Sequence, residues 1–439
     1  MRILMISDVY FPRVNGVSTS IQTFAREFVD KGHQVTLIAP DYASAPEARA
    51  TRRRCDSRPP QACPSPRRNL GGEMSPHSFA PEDAETFEII RIPSRYLPLD
   101  PEDRILRTGR LKAHRKRLTQ RDYDLLHIQT PFIAHYAGLG LARRLRIPVV
   151  ESYHTFFEQY LDKYVPFVPA AWLRFAARRF SAGQCNDMDA LVVPSRAMLR
   201  VLQSYGVGTL AAVIPTGIEL EQFSGGEGPR FRRRHGIPPE RPVLVHVGRL
   251  AFEKNIEFLL HMLTRVKRSV PEVLLVIAGE GPARRGLETL TKRLGLRDNL
   301  LFVGYLERDG ALEDCYCAGD AFVFASRTET QGLVLLEAMA LGVPVVSTAI
   351  MGTQEVLDGG HGCLIAEDDE ADFAAKAVRL LTEPDLRGRL SGEARHYAEG
   401  WSAPALADHM LDFYAEVVTL AGACAKGGLA PVRARTPED

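Results

Sequence analysis

Short apolar segments, many of them rich in β-branched residues, recur along the chain and alternate with segments of helical periodicity. Helical periodicity is clear in Ser18–Lys31 and Ala134–Leu145, which lie between such segments. This alternation predicts an α/β fold built on a parallel, doubly wound sheet. The apolar segments of the first half are Arg2–Ile6, Val35–Ala39, Phe87–Ile92, Asp124–Ile128, Ile147–Glu151, Ala190–Val193 and Ala212–Ile214.

The same pattern restarts in the second half of the chain. Its apolar segments are Val243–Val247, Val273–Ala278, Leu300–Val303, Ala321–Ala325 and Val343–Ser347. We therefore predict two Rossmann-like domains, residues 1–217 and 240–402, joined through the Gly- and Pro-rich segment Gly217–Pro239. Ligands of such sheets bind at the carboxyl ends of the strands, so the predicted site is a cleft in which the two domains face each other.

Two segments fall outside this pattern. Residues 43–86 contain seven Pro and seven Arg with few large apolar residues, which predicts a disordered basic insertion between two strands. Residues 425–439 are predicted to form a loose tail.

The composition is that of a soluble globular protein, with 45% apolar and 25% charged residues. No apolar run reaches the roughly 20 residues of a membrane span, and Asp8 interrupts the first run too early for a signal peptide. Seven scattered cysteines indicate reduced thiols and a cytoplasmic protein. Cys315 and Cys317 form a single C-x-C without a second ligand pair, so no metal site is predicted.

Two carboxylates, Glu329 and Glu337, flank the start of a predicted helix that follows the buried strand Ala321–Ala325. A helix start offers backbone N–H groups and a positive dipole end to a phosphate. Carboxylates accept hydrogen bonds from sugar hydroxyls. The pair therefore indicates a nucleotide-sugar site, although an ordinary capped helix also explains two Glu residues alone. The residues between them that we assign to donor binding are Thr330, Gln331, Gly332 and Leu333.

Two cations stand at the corresponding strand end of the same domain. Arg249 follows the strand Val243–Val247, and Lys254 opens the next helical segment. Each alone is explained by surface solvation, but together at one strand end they suit a diphosphate. In the first domain, Gly16 lies between the first strand and its helix, where a glycine permits either close approach to a phosphate or a tight turn.

Polar residues also end two strands of the first domain. His154 follows the strand Ile147–Glu151 and is predicted to contact the sugar, with a core or loop histidine as the alternative. His127 and Gln129 end the preceding strand and are predicted to line the acceptor side.

The net charge of +1 conceals an asymmetry. Residues 1–217 carry 30 Lys and Arg against 21 Asp and Glu, whereas the remainder carries 25 against 33, giving about +9 and −8. Basic residues concentrate in Arg104–Arg121, and Tyr160–Phe180 mixes basic with aromatic residues. Such segments suit an anionic membrane surface, although solvated helix faces and core packing are the alternatives. Nucleic acid is not predicted as a partner, because no binding module is visible.

With Glu329-x7-Glu337, Arg249, Lys254, Gly16 and His154 assembled, the chain resembles the retaining glycosyltransferases of family four, from Met1 to about Tyr414 apart from the insertion. This resemblance implies the GT-B fold and a metal-independent hexosyl transfer without a cofactor. It also implies that residues 403–420 form a helix that returns to the first domain.

The resemblance also implies individual roles. Glu329 would hold hydroxyls of the transferred sugar and Glu337 the nucleotide ribose. Arg249 and Lys254 match the diphosphate-binding pair, Gly16 the phosphate-facing loop and His154 the sugar-contacting histidine.

Within that family, the segments 328–333 and 127–131 are most similar to diacylglycerol glucosyltransferases. The segment 15–20 is shared with them and with mannosyltransferases that act on lipids. The expected enzyme moves a hexose from a UDP-glucose-like donor to a membrane lipid such as diacylglycerol, working peripherally at the inner face of the cytoplasmic membrane. The alternatives are a GDP-mannose-dependent α-mannosyltransferase, a non-catalytic nucleotide-sugar-binding protein and a phosphorylase with pyridoxal phosphate, for which no lysine is marked.

Overall fold

The structure is a computed structural model that describes residues 1–13, 15–42, 85–97, 100–154 and 170–427. Its internal contacts divide the chain into two units. The first unit comprises Met1–Tyr153, Asp187–Val192 and Leu411–Asp439, and the second comprises His154–Asn186 and Val193–Met410.

The first sheet has eight strands. They are β1 (Arg2–Ile6), β2 (Gln34–Asp41), β3 (Glu88–Leu97), β4 (Asp100–Leu106), β5 (Leu125–Ile128), β6 (Val149–Ser152), β7 (Ala190–Val193) and β8 (Leu210–Val213). Their order is β4-β3-β2-β1-β5-β6-β7-β8, so β1, which is apolar and buried from Ile3 to Ile6, lies near the centre. The pairings from β3 to β7 are parallel, and β4 is antiparallel to β3.

Helices connect these strands as the periodicity predicts. They are α1 (Gly16–Asp30), α2 (Thr108–Thr119), α3 (Ile133–Leu145), α4 (Ala170–Asn186) and α5 (Arg196–Ser204). The side chain of Asn15 caps α1 by accepting a hydrogen bond of 2.8 Å from the Ser18 amide. The apolar stripe of α1, which includes Ile21, Phe24 and Phe28, is buried.

The second sheet has six parallel strands. They are β9 (Val243–Val247), β10 (Leu274–Ala278), β11 (Leu300–Gly304), β12 (Ala321–Phe324), β13 (Val345–Ser347) and β14 (Cys363–Ile365). Their order, β11-β10-β9-β12-β13-β14, is that of a Rossmann sheet, in which the direction of winding reverses between β9 and β12. The prediction of two Rossmann-like α/β sheets is confirmed.

Both faces of the second sheet are covered. Alternate residues of β9 enter two separate cores: Val243 and Val245 join one, and Leu244 joins the other. This is the packing expected of a doubly wound sheet. The helices are α6 (Gly228–Arg234), α7 (Ile256–Ser269), α8 (Arg284–Arg293), α9 (Ala311–Cys317), α10 (Leu333–Ala340), α11 (Gly352–Val356), α12 (Glu370–Thr382), α13 (Pro384–Glu399) and α14 (Ala403–Gly427).

The division into units differs from the predicted boundaries at 217 and 240. β8 is a strand of the first sheet, but residues before and after it have other partners: the Arg196 amide donates to Glu355 at 2.6 Å, and the backbone of Thr216 is bonded to the side chain of Gln331. The join in the Gly- and Pro-rich segment Gly217–Pro239 stays a prediction. Within the first unit, Tyr414 of α14 packs against Phe28, with 5.7 Å between ring centroids.

Several predicted segments have different bounds in the structure or lie partly outside the described residues. Of the predicted insertion 43–86, residues 43–84 are outside, whereas Glu85 accepts hydrogen bonds from Gln22 and Arg26. Helix α14 extends to Gly427, so the predicted tail at 425–439 begins as helix, and residues 428–439 are outside. The strands β4 and β14 were not predicted.

Candidate functional site

The carboxyl ends of the neighbouring strands β9 and β12 carry the predicted charged residues of the second unit. β9 ends at Val247 and is followed by Gly248 and Arg249. A Cβ on Gly279 would lie 1.9 Å from the Gly248 carbonyl oxygen, so glycine is required where the turn after β10 passes this strand end. Gly279 therefore lets the turn after β10 pack closely against the backbone at Gly248, next to Arg249.

Lys254 and Glu329 form an ion pair at this strand end. The Lys254 Nζ lies 2.5 Å from the Glu329 Oε1, and the side chains are 25% and 14% exposed. The turn that carries Lys254 is fixed by the next residue, because Asn255 adopts a left-handed φ of 55° and donates to the Ala325 carbonyl at 3.1 Å. A lysine of the β9 loop and a glutamate of the β12 loop are thus brought together, a contact that the sequence analysis did not predict.

Helix α10 begins at Leu333, four residues after Glu329. Its N-cap, Gly332, has a φ of 97°, a conformation that a side chain would strain. The Glu329 carbonyl accepts from the Gly352 amide at 2.9 Å, and a Cβ on Gly352 would lie 2.0 Å from the Thr330 carbonyl oxygen. Close backbone packing therefore fixes the loop that presents the start of α10, where N–H groups face outward along the helix axis.

Gln331 has a different environment from the one that a donor-binding role suggests. Its amide oxygen accepts from the Thr216 amide at 2.8 Å, and its amide nitrogen donates to the Thr216 carbonyl at 2.7 Å. The residue is buried. Gln331 therefore fastens the start of α10 to the segment after β8, and its assignment to donor binding stays a prediction.

Glu337 lies one helical turn into α10 and is almost fully buried. Its Oε1 accepts from Arg308 Nη2 at 2.6 Å, and its Oε2 accepts from the Tyr316 hydroxyl at 2.7 Å. Burial and the Glu337 carboxylate together raise the pKa of Tyr316 well above its ordinary value. Neither Arg308 nor Tyr316 was predicted, and no spacing in the sequence connects them to Glu337.

Three further donor-side predictions lie at the same end of the second sheet. Arg249 and Thr330 are partly exposed, as is Leu333, which begins α10. His154 follows β6 and belongs to the second unit by its contacts. Burial lowers the pKa of His154 to about 4, so its imidazole is neutral at physiological pH, although part of its surface is accessible.

Three predicted residues lie in the first unit. Gly16 is exposed at the start of α1, with open space around its Cβ position, so packing among the described residues does not require glycine there. His127 is buried, with Nδ1 2.5 Å from the Tyr414 hydroxyl and Nε2 2.9 Å from the Ser152 hydroxyl. An acceptor would contact this ring only if one of those bonds opened. Gln129 is buried as well.

Two family models together cover most of the chain. The model described as Glycosyltransferase Family 4 matches residues 14–222, and that described as Glycosyl transferases group 1 matches residues 228–397. The alpha-monoglucosyldiacylglycerol synthase of Streptococcus pneumoniae is 31% identical over 355 residues, covering 79% of this chain and 71% of that protein. The chain belongs to glycosyltransferase family 4.

More distant relatives of this glycosyltransferase cover nearly its whole length. The GDP-mannose-dependent alpha-mannosyltransferase of Mycolicibacterium smegmatis is 26% identical over 433 residues, covering 95% of this chain and 98% of that protein. Among solved structures, Anabaena Alr3699/HepE in complex with UDP and glucose has a TM-score of 0.69 at 16% identity, covering 95% and 100% of the two chains. This structural similarity shows the GT-B fold.

The described residues of the glycosyltransferase contain neither a cluster of metal-binding side chains nor a membrane-spanning helix. They hold no group of three or more His, Cys, Asp and Glu side chains placed to bind a metal ion. In the same residues, every helix is too short or too polar to cross a membrane.

Proposed function

We propose that this glycosyltransferase transfers a hexose, with retention of configuration, from a UDP-glucose-like donor to a membrane lipid such as diacylglycerol. The observation that carries the donor half is the Lys254–Glu329 ion pair beside the start of α10. The lipid half is supported by the similarity to a protein named alpha-monoglucosyldiacylglycerol synthase. The roles proposed for the residues follow from the charge that develops during transfer.

The Lys254–Glu329 pair is suited to exchange its partners when a donor binds. Both side chains keep contact with solvent, so an incoming diphosphate can take the ammonium of Lys254 and sugar hydroxyls can take the carboxylate of Glu329. As the bond between sugar and phosphate breaks, negative charge grows on the diphosphate. Lys254, Arg249 and the start of α10 stabilise that charge, and no metal is needed for this step.

Helix α4 supports a membrane as the place of the acceptor. Trp172 is 73% exposed and Phe175 is 67% exposed, and Arg179 is exposed four residues later. Residues three and four apart share one helix face, so aromatic and basic side chains form a stripe. Such a stripe binds an anionic headgroup region through its cations and inserts its aromatic rings at the interface. We propose peripheral binding to the inner face of the cytoplasmic membrane.

The membrane proposal is tested by co-sedimentation with vesicles of phosphatidylcholine, alone or mixed with phosphatidylglycerol. We expect binding to the mixed vesicles that salt weakens. The double variant Trp172→Ser with Phe175→Ser should lose the part of the vesicle binding that resists salt. The matched control Tyr136→Ser, which changes an exposed aromatic on α3, should keep it. Equal binding to both vesicles, or none to either, would favour a soluble glycan as acceptor.

A GDP-mannose-dependent mannosyltransferase is the second candidate. Two mycobacterial relatives with that name match 95% of this chain and nearly their whole length. A non-catalytic nucleotide-sugar-binding protein is the third, but the joint presence of Arg249, Lys254, Glu329 and Glu337 argues against it.

One experiment separates these candidates. The purified enzyme is incubated with UDP-glucose, UDP-galactose or GDP-mannose and vesicles that contain diacylglycerol or phosphatidylinositol, and lipid products are identified by mass spectrometry. We expect hexosyl-diacylglycerol from UDP-glucose. Product from GDP-mannose alone would overturn the donor assignment. If no pair of donor and lipid gave either transfer or donor hydrolysis, the proposal that the protein is a catalyst would be wrong.

A further inference from the structure

Glu337 is the most completely satisfied carboxylate of the candidate site. It is 3% exposed, and each of its two oxygens accepts one hydrogen bond, from Arg308 at 2.6 Å and from Tyr316 at 2.7 Å. Arg308 belongs to the loop between β11 and α9, and Tyr316 belongs to α9. Three separate elements therefore meet at one carboxylate of α10.

A buried carboxylate needs such partners in order to keep one orientation. Burial of an unpaired charge costs several kcal/mol, and the guanidinium of Arg308 offsets that cost. Each carboxylate oxygen has two lone pairs, so one acceptor position per oxygen remains after Arg308 and Tyr316 are bonded. Two acceptor positions, one on each oxygen of the same carboxylate, match a vicinal diol, whose two hydroxyls donate side by side.

The two partners are themselves held firmly. Tyr316 is fully buried, and its ring centroid lies 5.4 Å from that of Phe322. The guanidinium carbon of Arg308 lies 5.6 Å from the ring centroid of Phe223, a buried residue. Because neither side chain moves without disturbing an aromatic neighbour, the direction of the Glu337 carboxylate is set before a ligand arrives.

We infer that Arg308 and Tyr316 are positioning residues that fix the Glu337 carboxylate to accept both hydroxyls of a ribose diol. This inference rests on the proposed nucleotide-sugar function, in which Glu337 binds the ribose. It adds to that function two residues through which the enzyme distinguishes a ribonucleotide from its deoxy analogues. A merely structural ion pair would stabilise the unit without affecting that distinction.

The test measures ribose discrimination by calorimetric titration. The probes are UDP or GDP, whichever binds the wild type more tightly, and the 2′-deoxy and 3′-deoxy forms of that nucleotide. The discrimination ratio is the Kd of the deoxy form divided by the Kd of the ribonucleotide. We expect Tyr316→Phe, which keeps the buried ring, to lower this ratio by about 5-fold to 10-fold, the usual effect of losing one hydrogen bond.

Arg308→Gln should lower the ratio further, because it removes the charge as well as the donor, and Arg308→Lys should restore part of it. The matched control is Arg230→Gln. Arg230 also pairs with a buried carboxylate, that of Asp314 on α9, the helix of Tyr316, at 2.5 and 2.9 Å, but it does not contact Glu337. This control should lower the melting temperature and leave the ratio unchanged.

The outcomes separate the inference from the proposed function. If Glu337→Gln lowers the ratio but the Arg308 and Tyr316 variants weaken all three nucleotides equally, the inference is wrong and the ribose role of Glu337 stands. If Glu337→Gln leaves the ratio unchanged, or if neither UDP nor GDP binds the wild type, the proposed donor site is wrong and the inference is wrong with it.

Discussion

Polar residues at the carboxyl ends of central strands behave differently in the two units. In the first unit, His127 is buried, and both of its nitrogens are bonded to the neutral hydroxyls of Tyr414 and Ser152. In the second unit, Lys254 and Glu329 carry full opposite charges and remain 25% and 14% exposed. A saturated, neutral network is suited to holding elements together, whereas a partly solvated ion pair can exchange its partners for a ligand.

The carboxylates of the two units show the same difference. In the first unit, Asp8 accepts from the Thr130 hydroxyl at 3.0 Å and from the Ala134 amide at 2.8 Å, which links the ends of β1 and β5 to α3. In the second unit, Glu329 accepts a hydrogen bond from Lys254, whose ammonium can instead bind an incoming anion. The position of a residue at a strand end therefore does not decide its role; the charge and exposure of its partners do.

The largest expected effect is on the cations of the second unit. Arg249→Ala and Lys254→Ala should each lower kcat/KM by about 10²-fold or more, because an oriented cation at a developing charge contributes several kcal/mol. Arg379→Ala, which breaks a surface pair with Glu383 on α12, is the control and should leave the rate near that of the wild type. Near-normal rates for both site variants would mean that Arg249 and Lys254 do not act in transfer, and the proposed difference between the two units would be wrong. Activity should persist in EDTA.

Substitution of the two glutamates should affect different quantities, kcat for Glu329 and nucleotide affinity for Glu337. Glu329→Ala should lower kcat by up to about 10²-fold while nucleotide affinity stays within a few-fold, because its carboxylate faces the sugar in the proposed site. Glu337→Ala should mainly weaken the binding of free UDP or GDP. Calorimetric titration of both variants, together with steady-state rates, measures this division. Equal losses of nucleotide affinity in the two variants would contradict it.

Buried histidines of the second unit should make its stability depend on pH. Burial lowers the pKa of His246 to about 4, from an ordinary value of 6.5. Because the unfolded state binds the proton first, stability is full above pH 6.5 and falls as the pH drops toward 4, by about 2 kcal/mol between pH 8 and pH 5 for this group. Chemical unfolding of the wild type and of His246→Leu should show a weaker pH dependence in the variant. An unchanged dependence would mean that His246 is not the group responsible.

The smallest expected effect is on the neutral network of the first unit. Tyr414→Phe removes the hydroxyl bonded to His127 and keeps the ring that packs on Phe28, so the free energy of unfolding should fall by about 1–2 kcal/mol. Thr419→Ala, on the exposed side of α14, is the control and should change it little. We expect kcat/KM to remain near that of the wild type. A raised KM for the acceptor alone would instead support the acceptor role predicted for His127.

Much of the fold could be predicted because its strands are buried on both faces. Ala190–Val193 and Val243–Val247 are strands at the predicted residues, since short, valine-rich apolar runs are typical of strands that are buried on both faces. The strand β4 was missed because Asp100–Leu106 is largely polar and pairs antiparallel at the edge of the sheet. The strand β14 was missed because it has only three residues.

The sequence by itself determined the two Rossmann-like sheets and the residues Arg249, Lys254, Glu329 and Glu337, because strand ends and helix starts are local features that periodicity reveals. Only the tertiary structure decided which of these charges meet. Lys254 and Glu329 are 75 residues apart, and Arg308 and Glu337 are 29 apart. Such pairs form because the parallel sheet brings its strand ends to one edge. Local sequence patterns predict the helices and strands but not which side chains come into contact in the folded protein.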